Sequence, residues 1–237
     1  MYKSNSGLGV ISGRFSFLTK YLTFQNGCAF NRLLLLYQTV RSKRKKIKMT
    51  ITDTIDQIVN LTKDEKLSIE KYFKAKSLSK GELWIKEGQY CNHIAFIKKG
   101  ICRIFYNDQD GNEVSCFFMP ENNFISSYTS FLTLTPTKEN IEAIEDVEML
   151  IINREDIEKL SKEVPKVQIW RRVIAENLFI LLERRISMLQ SKTAQERYET
   201  MIKENGDILL KVPLQYTASF LGITPQHFSR LRKNSVK

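Results

Sequence analysis

The sequence predicts an α+β protein: an antiparallel β-roll with flanking helices, then a long helix and a C-terminal helix-turn-helix. Between about residues 77 and 152, short runs with a hydrophobic period of two recur with turn residues between them. On both sides of this region the period becomes helical, and the chain ends on two short helical patterns that meet at one glycine. This order predicts a roll domain with its first helices at 49–163, a long helix at 164–190 and a helix-turn-helix domain at 191–237.

Composition is that of a globular protein, with 42% hydrophobic and 27% charged residues among 237. The formal net charge is +11, but residues 1–48 hold ten Lys and Arg and no Asp or Glu. The remaining 189 residues hold 27 basic and 26 acidic side chains. The overall basicity is therefore a property of the first 48 residues and does not by itself indicate a nucleic-acid site elsewhere.

Residues 1–48 form a basic extension with three interpretations. It is a disordered nucleic-acid-binding arm, a targeting segment, or upstream sequence that is not normally translated, in which case Met49 is the start. Its apolar run, Leu33–Leu36, is too short to cross a bilayer and precedes the basic cluster, which is the reverse of a secretory signal. No run of 18 apolar residues occurs, so no membrane span is predicted.

The cysteines are too widely spaced to indicate a metal site. No C-x-x-C pair exists among Cys28, Cys91, Cys102 and Cys116. We therefore predict free thiols in a reducing, cytoplasmic location, without a metal or another cofactor.

The elements follow from local patterns. Two amphipathic helices are predicted between Met49 and about Phe73, the second capped by Thr62 with Glu65 three residues later. Asp110-Gly111 indicates a hairpin turn. Strands are predicted at Leu83–Ile85, His93–Lys98, Ile101–Tyr106, Val114–Met119, Phe124–Ile125, Ile141–Ile144 and Val147–Ile152.

A long helix is predicted from Val164-Pro165 to about Gln190, with apolar residues on more than one face. One stripe, which we predict to pair with the same helix of a second subunit, consists of Val167, Trp170, Ile174, Asn177, Leu181 and Met188. A second stripe consists of Val173, Leu178, Leu182, Ile186 and Leu189. A single buried helix would explain both stripes as well. A further helix begins at Thr193, followed by a turn at Asn205-Gly206 and a short strand at Ile208–Val212.

The segment from Val212 to the end has the pattern of a helix-turn-helix. Leu214, Ala218 and Leu221 lie on one face of a first helix. A glycine follows, where a chain that leaves a helix often needs positive φ. Thr224 is a good N-cap for a second helix.

In that second helix, only Phe228 and Leu231 form a buried stripe, and the other positions are polar or basic. Arg can bind the acceptor pair of guanine, Gln can pair with adenine, and Ser and Lys can hold phosphates. The pattern predicts a helix that enters the major groove, although a helical hairpin with a solvated basic face explains it too. The predicted DNA-contacting residues are Thr224, Pro225, Gln226, His227, Ser229, Arg230, Arg232 and Lys233.

From about residue 52 to residue 233, this order of elements resembles the Crp/Fnr family of bacterial transcription regulators. The resemblance is strongest at A-S-F-L-G-I-T-P-Q-H-F-S-R-L-R-K, residues 218–233, and at T-A-Q-E-R-Y, residues 193–198. These two motifs are similar to the Bacteroidetes-type branch of the family. The strand region, with G-E-L-W-I-K-E-G at 81–88, resembles the cyclic-nucleotide-binding jelly roll.

The resemblance implies a winged helix-turn-helix and a homodimer on a palindromic double-stranded DNA operator, with RNA polymerase as a further partner. It assigns base reading to Pro225, Gln226 and Arg230. Pro225 has no side-chain donor, so its contact is lost or becomes an apolar contact with a thymine methyl group.

The effector site departs from the family. In members that bind cyclic AMP, a Glu holds the ribose hydroxyl and an Arg-Ser pair holds the phosphate. Here those positions read Ser126-Ser127-Tyr128 and Thr137-Lys138, so Ser127 replaces the Glu and Thr137 replaces the Arg. Lys138 is displaced by one residue and cannot bind a phosphate bidentately. We therefore expect weak or no binding of cyclic nucleotides, and the effector is unknown.

These observations predict a dimeric, sequence-specific transcription regulator. The alternative is a sensor of a small, cyclic-nucleotide-like molecule that acts through protein partners, with the C-terminal helices as an interaction module. The sequence contains no paired carboxylates, nucleophile elbow, metal cluster or phosphate loop, so an enzyme is not predicted.

Overall fold

Two capped helices begin the part of the chain that the computed structural model describes, residues 49–234. Each has a capping box, in which a Thr side chain accepts a hydrogen bond from the third helical N–H and the third side chain accepts one from the Thr N–H. The box predicted at Thr62 is confirmed. The predictions for the basic extension, including Cys28, concern residues outside the described part. The helices are α1 (Ile51–Val59) and α2 (Lys63–Tyr72).

Among the described residues, eight strands form two four-stranded sheets, in the orders β1-β8-β3-β6 and β2-β7-β4-β5, and every pairing there is antiparallel. The predicted α+β class with an antiparallel roll is thus confirmed. The strands are β1 (Lys74–Leu78), β2 (Leu83–Ile85), β3 (His93–Lys99), β4 (Ile101–Asn107), β5 (Glu113–Pro120), β6 (Phe124–Ile125), β7 (Asn140–Ala143) and β8 (Val147–Asn153).

The remaining helices are α3 (Tyr128–Thr133), α4 (Arg154–Glu163), α5 (Lys166–Ser191), α6 (Ala194–Lys211), α7 (Leu214–Leu221) and α8 (Pro225–Asn234). Helix α5 begins inside the core of the roll, where Val167 and Trp170 are fully buried. We call residues 194–234, which contain α6 to α8, the helical domain. Its own small core lies where these three helices meet.

A β-bulge determines which residues of β5 face away from the roll. Ile104 of β4 pairs with Phe117, but the next residue, Phe105, pairs with Ser115, so Cys116 is the extra residue. Since paired residues share a face, the bulge places Ser115 beside Phe105 on the outer face of this sheet. This face lies against the helical domain.

The structure differs from the predictions in several local elements. Strand β1 and the short helix α3 were not predicted as such. The strand predicted at Ile208–Val212 is wrong, because α6 continues to Lys211 and the chain is only kinked at Asn205, whose φ of −139° is not helical. All regular structure between residues 191 and 234 is helical, so the wing implied by the resemblance has no strand in this range.

Gly100 connects β3 to β4 with a φ of +94°, and a Cβ atom there would lie 2.6 Å from the main-chain oxygen of Asp146. Gly111 has a similar φ of +81°, but a Cβ atom would meet nothing within 4 Å. Both alanine variants carry backbone strain, and only Gly100→Ala adds a clash. We expect Gly100→Ala to lower the free energy of unfolding by about 1–3 kcal/mol more than Gly111→Ala. Chemical denaturation measures both, and equal losses would contradict the close packing at Gly100.

Candidate nucleic-acid interface

A tight turn at Gly222 separates the two helices of the predicted helix-turn-helix. Gly222 has a left-handed conformation with a φ of +66°. Its N–H donates to the carbonyl oxygens of Ala218 and Ser219, and the N–H of Ile223 donates to Ala218 at 3.1 Å. These bonds satisfy carbonyls that would otherwise lack partners at the end of α7. The predicted role of this glycine as a helix-ending residue agrees with the structure.

Thr224 caps the beginning of α8, as the sequence predicts. Its hydroxyl accepts a hydrogen bond from the N–H of His227 at 3.2 Å, and its carbonyl accepts one from Phe228 at 3.0 Å. Pro225 occupies the first helical position, where a missing N–H costs nothing. The Thr224 side chain is therefore used in capping.

The inner face of α8 is apolar. Phe228 and Leu231 are buried among residues of α6 and α7, and the Phe228 ring lies edge-on to Tyr198 with 5.5 Å between centroids. Because these two side chains are three residues apart, they fix one face of the helix inward and the opposite face outward.

The outer face of α8 is polar and basic. Gln226, Arg230 and Lys233 follow one another at helical steps of four and three and are all exposed. Ser229 is half-buried, and its hydroxyl donates to the Pro225 carbonyl at 3.0 Å. Helix α8 contains no Asp or Glu. The other predicted DNA-contacting residues are also exposed: Thr224, Pro225, His227 and Arg232.

Two arginines that the sequence did not single out bind the C-terminal end of α7. Arg185 of α5 donates from Nη2 to the Phe220 carbonyl, and its Cζ atom lies 4.0 Å from the centre of the Phe220 ring. Arg197 of α6 donates from Nε to the Leu221 carbonyl at 2.8 Å. Burial lowers the pKa of Arg185 to about 10, so it is still a cation at neutral pH. Cations at this end of a helix satisfy carbonyls and offset the helix dipole.

The structure brings together the two residues predicted to replace the effector-binding Glu and Arg. Ser127 and Thr137 are 1% and 4% exposed, and their hydroxyl oxygens are 2.7 Å apart in a hydrogen bond. The Thr137 hydroxyl also accepts from the N–H of Glu139 at 2.9 Å. This pair is neutral and its hydroxyls already have partners within the chain.

The other predicted pocket residues are Ser126, Tyr128 and Lys138, and their environments differ. The Ser126 hydroxyl donates to the carbonyl of His93 at 2.8 Å. Tyr128 is half-buried and stacks on Phe131, with 6.2 Å between ring centroids. Lys138 is exposed.

The predicted dimer stripe on α5 needs a correction at its beginning. Val167 and Trp170 are 0% and 2% exposed within their own chain, and the Trp170 ring lies edge-on to Phe124 at 4.9 Å. They therefore belong to the core of the roll and are not available to a second subunit. The later members of the stripe are half-buried: Ile174, Asn177, Leu181 and Met188.

Within residues 49–234, no group of three or more His, Cys, Asp or Glu side chains is placed to hold a metal ion. Over the same range, every helix is too short or too polar to cross a bilayer. Cys91, Cys102 and Cys116 are free thiols, and burial raises the pKa of Cys116 to about 11.

Comparison with known proteins extends this picture. Residues 75–163 match the family model of the cyclic nucleotide-binding domain. No curated protein matches the sequence.

Solved structures share the fold over most of the chain. FixK2 from Bradyrhizobium japonicum is 21% identical, with a TM-score of 0.59 over 68% of this chain and 83% of its own. A CooA mutant from Carboxydothermus hydrogenoformans is 21% identical, with a TM-score of 0.59 over 78% and 85%. A crp/fnr-family protein from Eubacterium rectale is 17% identical, with a TM-score of 0.58 over 75% and 85%.

At these identities the structural likeness establishes the fold, and the family match establishes the domain. The Bacteroidetes-type branch stays a prediction. Residues 75–163 thus carry the match to the cyclic nucleotide-binding domain, and the chain around them shares the fold of these solved structures.

Proposed function

We propose that the protein is a homodimeric, sequence-specific DNA-binding transcription regulator of the Crp/Fnr type. The observation that carries this proposal is the outer face of α8. This face is basic, free of acidic residues and exposed, while Phe228 and Leu231 hold the helix in place from behind. A rigid helix with such a face meets the requirements for reading base edges and holding phosphates in a major groove.

Selection of bound duplexes from a random DNA pool tests the proposal. We expect the selected DNA to contain a palindrome whose half-sites are about 34 Å apart, one turn of the double helix. Affinity for that operator should fall steeply as salt rises, because bound phosphates release counterions. If no sequence is enriched and no salt-dependent affinity is found, the alternative of a sensor acting through protein partners is favoured.

The role of Arg230 can be tested on the selected operator. We expect Arg230→Ala to weaken operator binding by about 1–3 kcal/mol, because a base-contacting arginine supplies paired donors. Lys86→Ala is the control, since it removes one exposed positive charge from the roll. Fluorescence anisotropy measures both dissociation constants. Equal affinity of Arg230→Ala and wild type for the operator would show that Arg230 does not contribute to binding.

The exposed part of α5 supports the proposed homodimer. Phe179, Leu182, Ile186 and Leu189 follow one another at steps of three, four and three, which is the a/d spacing of a coiled coil. Their exposed fractions are 71%, 42%, 55% and 43%. We call these four residues the α5 seam. Pairing two seams removes this apolar surface from water and gives the two copies of α8 a two-fold relation.

The dimer can be tested at the centre of the seam. We expect Ile186→Glu to convert the dimer to a monomer at micromolar protein, because it places two buried carboxylates opposite each other. Ser187→Glu is the control, since Ser187 is exposed and lies outside the seam. Sedimentation equilibrium gives both masses. A monomeric wild type, or a dimeric Ile186→Glu variant, would contradict this assembly.

The neutral Ser127–Thr137 pair supports a roll that does not use the family's Glu and Arg for cyclic nucleotides. A cyclic phosphate that enters this site gains no charged partner from the pair and breaks a buried hydrogen bond. We expect isothermal calorimetry with cyclic AMP or cyclic GMP to show no micromolar binding. Operator binding by the same preparation serves as the control for folding. A micromolar dissociation constant for either nucleotide would contradict this prediction.

The comparisons point to regulators and not to enzymes. RNA polymerase as a partner and the cytoplasmic location stay predictions, and the effector stays unknown.

A further inference from the structure

Strand β4 is buried on both faces, and each face has a different cover. Cys102 and Ile104 point into the core of the roll. Ile101, Arg103 and Phe105 alternate with them and point to the other side, yet they are 3%, 0% and 5% exposed. A sheet of this kind commonly leaves one face to water. Here the helical domain covers that face.

Arg103 is the charged residue of β4 on this covered face. Its guanidinium binds the carboxylates of Glu113 and Glu142, the latter at 3.4 Å from Nη1. Its Cζ lies 4.0 Å from the ring centre of Phe105 and 3.5 Å from that of Tyr216. The two carboxylates and Phe105 belong to the roll, whereas Tyr216 belongs to α7. We call these five residues the Arg103 clasp.

The clasp lies beside further contacts between the roll and α7. The main-chain N–H of Ser115 donates to the hydroxyl of Ser219 at 2.9 Å, and this hydroxyl donates to the carbonyl of Glu113 at 3.0 Å. The ring centroids of Phe118 and Phe220 are 5.4 Å apart. The β-bulge places the Ser115 side chain on this same face, where it is fully buried.

Docking leaves the outer face of α8 uncovered. Gln226, Arg230 and Lys233 are exposed while α7 lies against the sheet. The contact therefore does not hide the predicted DNA-binding residues. It fixes the direction in which α8 points relative to the roll.

Forming the clasp also carries an electrostatic cost. Docking removes the Arg103 charge from water, and its Nε atom finds no acceptor among the described residues. The two carboxylates and the stacked rings offset this cost. The Glu113 carboxylate remains 46% exposed in the docked state, so one of the two partners of Arg103 stays partly in water.

We infer that Arg103 and Tyr216 are positioning residues: the Arg103 clasp holds the helical domain on the roll and so orients α8 for a two-half-site operator. This inference rests on the proposed function. In a dimer, two fixed domains present their helices at one spacing, whereas loosened domains must first be ordered on the DNA.

Tyr216→Ala and Tyr216→Phe form the matched test pair. Tyr216 lies outside the buried core of the helical domain, so removing its side chain leaves that core intact. The phenylalanine variant keeps the ring against Arg103. Arg103→Lys is the second variant, because lysine keeps the charge but not the planar group that stacks on the rings.

The first measurement is hydrogen exchange at the Ser115 amide, whose partner is across the domain contact, and it needs no DNA. We expect Tyr216→Ala and Arg103→Lys to raise this exchange rate about tenfold and Tyr216→Phe to leave it unchanged. Unchanged exchange in both disrupting variants would overturn the docking role.

The second measurement compares the full operator with a single half-site. We expect Tyr216→Ala to weaken full-operator binding about tenfold and to leave half-site binding unchanged, since each helical domain is intact. Equal or tighter full-operator binding, or an equal loss on the half-site, would overturn the positioning role. If wild type binds no DNA, the proposed function fails and the positioning role with it, while the exchange result still decides whether the clasp docks the domain.

Discussion

The packing of Trp170 into the roll determines where α5 leaves it. This ring is almost fully buried against Phe124, and Val167 is buried one turn earlier. With its first turns held in the core, α5 extends beyond the roll and exposes the α5 seam. The same helix then leads into the helical domain. One helix therefore connects the roll core, the proposed subunit contact and the helical domain.

Most of the roll could be predicted because strand periodicity is a local property. The hydrophobic alternation of β3, β4, β5 and β8 is visible without knowledge of their partners. Strand β1 was missed because its K-A-K-S-L sequence is mostly exposed and carries little alternation. The strand at 208–212 was wrong because a short apolar run fits a strand or a helix equally well. In the structure this run belongs to α6, and Leu209 packs against the core of the helical domain.

In the candidate site too, features that depend on local spacing could be predicted, and contacts between distant residues could not. The arrangement of α8 follows from neighbours within one or two helical turns, so its inward and outward faces could be assigned from the sequence. The effector pair Ser127 and Thr137 needed the family resemblance, which placed them together. The clasp was not foreseen, because Arg103 and Tyr216 lie in different domains. The available signal was a single arginine among the hydrophobic positions of β4, and it does not say what covers that face.

The hydrogen bond from Arg185 to Phe220 joins α5 directly to the last turn of α7. The guanidinium group also lies on the Phe220 ring, so one side chain of α5 both bonds to and stacks on the end of α7. A rotation of α5 at the proposed subunit contact would thus act on the last turn of α7, which precedes α8, through one side chain. Neither residue of this contact belongs to the interior of the roll.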